Sequence, residues 1–337
     1  MKTVIRLLKY IILSLLLLIL CISAIFYRPD ISYEAAIGQF SEDESKFFES
    51  QVLGFDDNNH QIIIHYLDYG NPEDIPIVLL HGAFSSSLTF KSWKNTLVNQ
   101  GYRVVLIDLP YHGLSTGFSD QVTSIRRSAE VVVKLLNYLQ IKSFFIGGNS
   151  MGGGVSWYLT GAYHGSNDIE VLGLILIDST YPMESSGAPD SWIINVVSSD
   201  IIAPIITKIT PRFLFERLLD GVYGSSSIPS TETIDRYYNM LRVEGHRLAI
   251  LQNTFEALSV DDQLEILKNV AVYDIPILLQ WGEEDSWIPV STTERFKQTL
   301  NLSDDQIIIY SELGHVPMEE DPSRTIIDII EFLEFHS

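Results

Sequence analysis

The sequence predicts an α/β fold: a doubly wound, mostly parallel sheet with an inserted helical cap, preceded by an N-terminal transmembrane helix. Three observations carry this reading. Short, continuous apolar runs alternate with stretches of helical periodicity; the alternation stops between about residues 181 and 272; and the first thirty residues are far more apolar than the rest. With 337 residues and 46% hydrophobic content, the chain has ample material for a core.

At the N-terminus, Lys2, Arg6 and Lys9 form a basic flank (1–9), and the segment 10–27 is apolar apart from two serines. That is close to bilayer length. A cleaved signal peptide calls for a shorter apolar core and small residues before the cut, which Ser23-Ala24 supplies poorly. A lipoprotein reading would need a small residue before Cys21, where Leu20 stands. An uncleaved anchor is therefore expected. Three basic residues before the span against Arg28 after it put the N-terminus inside and the remaining chain on the extracytoplasmic side. Residues 28–50 are polar and acidic and are read as a tether or short helix.

From Gln51 the pattern turns to β. The runs Gln51–Phe55 and Gln61–Leu67, separated by an Asp-Asn-Asn turn signal, suggest an opening hairpin. The runs Ile77–Leu80, Val104–Leu109, Phe144–Ile146, Leu172–Ile177, Ile275–Gln280 and Ile307–Tyr310 suit strands buried on both faces. Between them, Ser124–Leu139 places Ile125, Ala129, Val132, Val133, Leu136 and Leu139 on one helical face. This gives a core in two parts, 51–180 and 273–337, around a cap at 181–272. The cap aromatics Trp192, Phe213, Phe215, Tyr223, Tyr237 and Tyr238 are expected mainly to pack it together, with some free to line a pocket.

The chemistry concentrates at strand ends, where ligand sites of such sheets lie. Gly148-Asn149-Ser150-Met151-Gly152 follows one strand run and precedes a helix-compatible stretch, so Ser150 is the candidate nucleophile. A serine hydroxyl needs a base oriented by a carboxylate, in the order serine, acid, histidine. Among the downstream histidines only His315, in Leu313-Gly314-His315, lies just past a late strand; His164, His246 and His336 are given packing or solvated roles. For the acid, Asp285 closes Gly282-Glu283-Glu284-Asp285 at a strand end, with Pro289 shaping the loop, and Asp178 is the alternative because it too follows a core strand. The oxyanion donors are expected to be the amides of Met151 and Ala83, with Phe84 as the alternative to Ala83.

Composition excludes other classes. The balance of 22 basic against 43 acidic residues, net charge −21, opposes nucleic-acid binding, and a single cysteine rules out an intramolecular disulfide or a cysteine-rich metal site. No metal or cofactor is called for. The expected partners are the membrane, through the anchor, and a small, apolar acyl substrate; the pattern carries no signal of oligomeric state.

With these pieces in place, residues 51 to 337 resemble the α/β-hydrolase family. Leu79-Leu80-His81-Gly82 is similar to its oxyanion loop, Asp108 to Ser115 to the loop after the next core strand, and Gly148 to Gly153 to its nucleophile elbow. Trp281 to Asp285 with Pro289 is similar to its acid segment, and Gly314-His315 with Glu319-Glu320-Asp321-Pro322 to its base segment. The resemblance favours Asp285 over Asp178 and gives Asp108 and His112 turn-organising roles, as His81 also has on its own context. It implies a serine hydrolase, an ester hydrolase above all. Epoxide hydrolases and haloalkane dehalogenases carry aspartate where Ser150 stands. Carbon–carbon bond hydrolases commonly have tryptophan where Val316 stands, and proline-releasing peptidases tryptophan where Met151 stands. Carbon–carbon or amide hydrolysis, or a non-catalytic ligand-binding protein of the same fold, are the alternatives.

Overall fold

The computed structural model describes all residues except 1, 54–57, 121, 167, 183–198, 200, 253 and 256–258. Trp192 and most of the turn between the first two strands therefore lie outside the described residues. Eight strands form the main sheet: β1 (Ser45–Leu53), β2 (Asn59–Tyr69), β3 (Ile75–Leu80), β4 (Tyr102–Ile107), β6 (Ser143–Asn149), β7 (Glu170–Ile177), β9 (Ile277–Gly282) and β10 (Ile307–Tyr310). Their order is β1-β2-β4-β3-β6-β7-β9-β10, and a separate parallel pair joins β5 (Val122–Thr123) to β8 (Thr254–Phe255). In the main sheet β1–β2 and β2–β4 are antiparallel and every later pairing is parallel.

The sheet is buried on both faces, as its continuous apolar runs require. In β3, Val78 and Leu80 join one core cluster and Ile77 and Leu79 the other. The first face is covered by α4 (Ile125–Tyr138), α5 (Met151–Tyr163), α10 (Val260–Val272) and α11 (Thr292–Leu300); the second by α3 (Lys91–Asn99) and α13 (Pro322–His336). Ser124 caps α4 by accepting from the Arg127 amide, which starts that helix at Ile125.

The register aligns the strand ends that matter. Leu80 of β3 lies opposite Gly148 of β6, Asn149 opposite Ile177 of β7, and Ile177 opposite Gln280 of β9. The loops beginning at His81, Ser150, Asp178 and Glu283 thus emerge side by side. β4 and β6 flank β3 on opposite sides, so this edge is also the point where the strand order reverses.

The remaining helices are α1 (Lys2–Phe26), α2 (Tyr33–Phe40), α6 (Ala203–Ile206), α7 (Arg212–Asp220), α8 (Thr231–Leu241), α9 (His246–Gln252) and α12 (Pro317–Glu320). Helices α6 to α9 come from the stretch read as a cap. Residues 260–272 were assigned to that stretch as well, but α10 packs on α5: Asn269 Nδ2 and Tyr273 Oη both donate to the Gly161 carbonyl at 3.3 Å. It belongs to the helical layer of the core.

The segment 28–50 also differs from a free tether. β1 starts at Ser45, six positions before the expected strand, and pairs with β2 along its whole length. Upstream, the Arg28 amide donates to the Lys208 carbonyl at 2.7 Å, Tyr27 bridges Ile209, Ile31 bridges Val243, and Arg247 donates to the Arg28 carbonyl at 2.8 Å and to Asp30. Polar composition suggested solvation, yet this segment finds partners on α9 and on the α6–α7 and α8–α9 connections.

Helix α1 contains a 21-residue apolar stretch, Arg6–Phe26, with mean hydropathy 2.6. Its described side chains are exposed almost throughout, Leu7, Leu13, Leu17 and Leu20 among them.

Candidate active site

Ser150 sits between β6 and α5 with φ 54° and ψ −118°, a conformation that a non-glycine residue adopts only at a cost. The surrounding structure enforces it. The Ser150 amide donates to the Ile177 carbonyl at 3.0 Å, and the Ser150 carbonyl accepts from Gly154 and Thr180 at 3.1 Å each. The flanking glycines are steric requirements: a Cβ on Gly148 would lie 2.3 Å from the Gly152 backbone, and one on Gly152 would lie 2.1 Å from the Leu80 carbonyl oxygen.

His315 and Asp285 are both buried, and His315 Nδ1 meets Asp285 Oδ2 at 2.7 Å. The other carboxylate oxygen of Asp285 accepts the Trp287 and Ile288 amides at 2.7 and 2.9 Å. The carboxylate is thereby fixed, and with it the ring: Nδ1 carries the proton and Nε2 is left as the acceptor. Ser150 and His315 line one cavity, together with Ala83 and Phe84. No hydrogen bond joins the Ser150 hydroxyl to His315, and such contacts commonly tighten only when substrate arrives.

Asp178 lies behind this pair. Its Oδ1 accepts the Gly282 amide at 3.0 Å, and the bond to His315 is made by Asp285 instead. Complete burial and the charge of Asp285 push its carboxyl well above the usual carboxylate range, which favours its neutral form. Asp178, Asp285 and His315 place potential ligand atoms within 4.8 Å of one another, but the facing atoms of Asp285 and His315 are already spent on each other.

The loop after β3 is held by His81. Its Nε2 accepts the Leu109 amide at 2.9 Å, so Nδ1 is the protonated nitrogen and donates to the Gly82 carbonyl at 2.7 Å. Burial lowers its pKa and keeps the ring neutral. Among the described residues the amides of Ala83, Phe84 and Met151 donate to no acceptor. Asp108 is equally committed, accepting from Ser87 at 2.6 Å, from Leu114 at 2.8 Å and from His65 Nδ1 at 2.7 Å. His112 is bonded to Pro110 and His246 to Met240 and Ser115, while His164 accepts the Val171 amide.

Four residues without an expected role shape the site. Asn149 Nδ2 donates to the carbonyls of Ile177 and His315 at 3.2 and 2.9 Å, tying the Ser150 turn to the His315 loop. Trp287 stacks on the His315 ring, with centroids 5.7 Å apart at 21°, and meets Phe84 edge-on. Glu320 accepts the Gly314 amide at 2.8 Å and the Gly224 amide at 2.7 Å; burial raises its pKa. Glu319 accepts from Arg236, Tyr237, Tyr223 and Thr89. Glu319 and Glu320 stood inside a recognised segment, but sequence carried no sign of their partners.

The cavity walls are mostly apolar: Phe215, Leu218, Leu219 and Val222 from α7 and its end, Tyr237 from α8, and Trp287 and Val316 from the loops. Its volume is about 60 Å³.

The family description serine aminopeptidase, S33, matches residues 71–322 and so takes in β3 to β10 and Ser150, Asp285 and His315. The chain is an S33-type α/β-hydrolase. This hydrolase is 28% identical over 268 residues to Lipase 3 of Moraxella sp. (strain TA144), covering 78% of each chain. It is 23% identical over 290 residues to a 2-hydroxy-6-oxononadienedioate/2-hydroxy-6-oxononatrienedioate hydrolase of Burkholderia vietnamiensis, covering 84% of this chain and 95% of that one. The crystal structure of a membrane phospholipase A, described as a bacterial virulence factor, aligns with TM-score 0.61 and 23% identity over 86% of both chains, a likeness of fold.

Proposed function

We propose that this hydrolase cleaves a carboxylic ester through an acyl-enzyme on Ser150, with the acyl group seated in the apolar cavity beneath α7. The observation that carries the reading is the arrangement of a strained, cavity-lining Ser150 beside a His315 whose Nδ1 is held by Asp285 at 2.7 Å. In this mechanism His315 Nε2 takes the Ser150 proton as Oγ attacks the acyl carbon, and Asp285 stabilises the imidazolium. The amides of Met151 and of Ala83, or Phe84 in its place, receive the developing oxyanion. His315 then protonates the leaving alcohol, and a water activated by the same ring releases the acid.

Ester chemistry is favoured over carbon–carbon cleavage by the apolar lining and by the lipase relative, although a carbon–carbon hydrolase is also a relative. Val316 is buried against the cavity at the position where such hydrolases commonly place tryptophan. The same proposal takes α1 as an uncleaved anchor, with the hydrolase on the extracytoplasmic side, following the basic flank at Lys2, Arg6 and Lys9.

The test is Ser150→Ala. The variant should lose fluorophosphonate labelling and lower kcat on a p-nitrophenyl ester by about 10⁴-fold or more, with an unchanged circular dichroism spectrum. Persistent labelling would name another nucleophile, and tight ligand retention without turnover in the unmodified chain would make the protein a binder.

A further inference from the structure

The outer surface of α6 and α7 is apolar and faces solvent. Ile201, Ile205 and Ile206 are exposed around α6, and Phe213, Leu214 and Leu218 on α7, while Phe215 and Leu219 of the same helix point inward. Helix α7 is therefore apolar on two sides: one lines the cavity, and the other is exposed, with Phe213 meeting Phe26 of α1.

This face is continuous with the end of α1. The ring of Phe26, the last residue of the apolar span, lies 5.9 Å from that of Phe213. Tyr27 bridges Ile209 and the Arg28 amide is bonded to Lys208, both in the connection between α6 and α7. A chain leaving a bilayer at Phe26 with no slack before its first bond to Lys208 holds α6 and α7 at that bilayer's surface. Charge does not oppose this: from residue 201 to 220 the chain carries Lys208, Arg212 and Arg217 against Glu216 and Asp220, in a protein of net charge −21, with Lys208 paired to Asp30 and Arg212 to Glu216 and Asp235. An exposed apolar helix face next to a tyrosine at the end of a span is the composition of an interfacial helix.

We infer that the exposed face of α6 and α7 is seated in the lipid leaflet from which α1 emerges, so that the cavity beside Ser150 receives acyl chains of membrane lipids past Leu218. The inference rests on α1 as an anchor and on the ester-hydrolase reading of the Ser150 site. It accounts for the size of the cavity: about 60 Å³ holds only a handful of water-sized groups, so a long acyl chain requires α7 to shift, and a lipid-seated α7 can do so without exposing its inner face to water.

The experiment uses the full chain, with Cys21 replaced by serine, reconstituted in phosphatidylcholine–phosphatidylglycerol vesicles. A nitrobenzoxadiazole probe is placed at Ile205→Cys, at Phe213→Cys, or, as a control remote from α1, at the exposed Lys142→Cys. Doxyl-labelled lipid should quench the probes at positions 205 and 213 and leave the control bright. A second arm uses Leu214→Asp, which should lower hydrolysis of vesicle phospholipid by about tenfold, the order expected from withdrawing one large apolar side chain from lipid, while soluble p-nitrophenyl acetate turns over as before.

Equal brightness at positions 205, 213 and 142 would overturn the inference. So would efficient disulfide formation between Phe213→Cys chains without quenching, since the face would then join two copies. The underlying readings fail separately: release of the chain by alkaline carbonate would remove the anchor and the docking with it, whereas absent fluorophosphonate labelling with quenching intact would remove the hydrolase mechanism and leave the docked face standing.

Discussion

Replacing Asn149 by alanine should damage the active site from a position that touches no reacting atom. Its Nδ2 group serves two backbone carbonyls, Ile177 at 3.2 Å and His315 at 2.9 Å, where the residue is only 2% exposed. Truncation removes both bonds, but the Ile177 carbonyl keeps the Ser150 amide, so the one stranded acceptor is the His315 carbonyl. A net bond is worth about 1 kcal/mol and a buried unsatisfied group costs about 1–3 kcal/mol, so the two together predict a loss of about 2–4 kcal/mol. The stability loss is read as a lower denaturant midpoint at unchanged slope, followed by tryptophan fluorescence in detergent micelles. The functional loss is a different quantity. The freed His315 loop carries Nε2 away from Ser150, and a displacement near 1 Å is enough to lower kcat by about 10²-fold with KM little changed. Wild-type stability and kcat in Asn149→Ala would refute the reasoning, because the two bonds would then be incidental.

Three further outcomes follow from the same geometry. Asp178→Asn should keep kcat within about threefold, because Asp285 and not Asp178 holds His315 Nδ1 and burial already disfavours a charge on the Asp178 carboxyl; if Asp178 instead oriented His315 the loss would be nearer 10⁴-fold. Burial holds His81 and His246 below their ordinary values and His112 at about 3, so below about pH 6.5 the unfolded chain binds protons that the folded one refuses. Folding stability should therefore fall on acidification, by up to about 4 kcal/mol per pH unit for the three together, and His112→Gln should flatten the slope; equal denaturation midpoints at pH 7.5 and 5.5 would contradict this. Gly282→Ala should abolish fluorophosphonate labelling, since its Cβ would sit 1.9 Å from the Gly314 carbonyl oxygen and displace the His315 loop; normal labelling would show that the loop can yield.

Strands of the parallel sheet were legible because burial on both faces leaves an uninterrupted apolar run. Ile307–Tyr310 coincides with β10, and Phe144–Ile146 lies within β6. β1 was not legible upstream of Gln51, since an antiparallel edge strand may carry Lys46, Glu49 and Ser50 toward water without losing its ladder. In the site, Ser150, Asp285 and His315 could be named because their order and strand-end placement are chain-local signals. Asn149, Glu319 and Glu320 could not, because their roles consist of bonds to groups far away in sequence, such as Gly224 and Arg236. The docking of 28–31 on α9 and on the α6–α7 and α8–α9 connections was hidden for the same reason.

Glu319 and Glu320 have a bearing on how this hydrolase comes together. One receives Arg236, Tyr237 and Tyr223, the other the amides of Gly224 and Gly314, and the His315 amide itself donates to the Val222 carbonyl at 2.8 Å. The inserted region is thus a supplier of bonds to the loop that carries His315, and cannot be trimmed away like an ornament. A chain deleted from 212 to 241 would keep its serine, aspartate and histidine and yet leave two carboxylates and the His315 loop without their counterparts. Competence to react would then be the final event of assembly, arriving only after the insertion has settled onto the sheet, and refolding should show native tryptophan fluorescence before phosphonate reactivity returns.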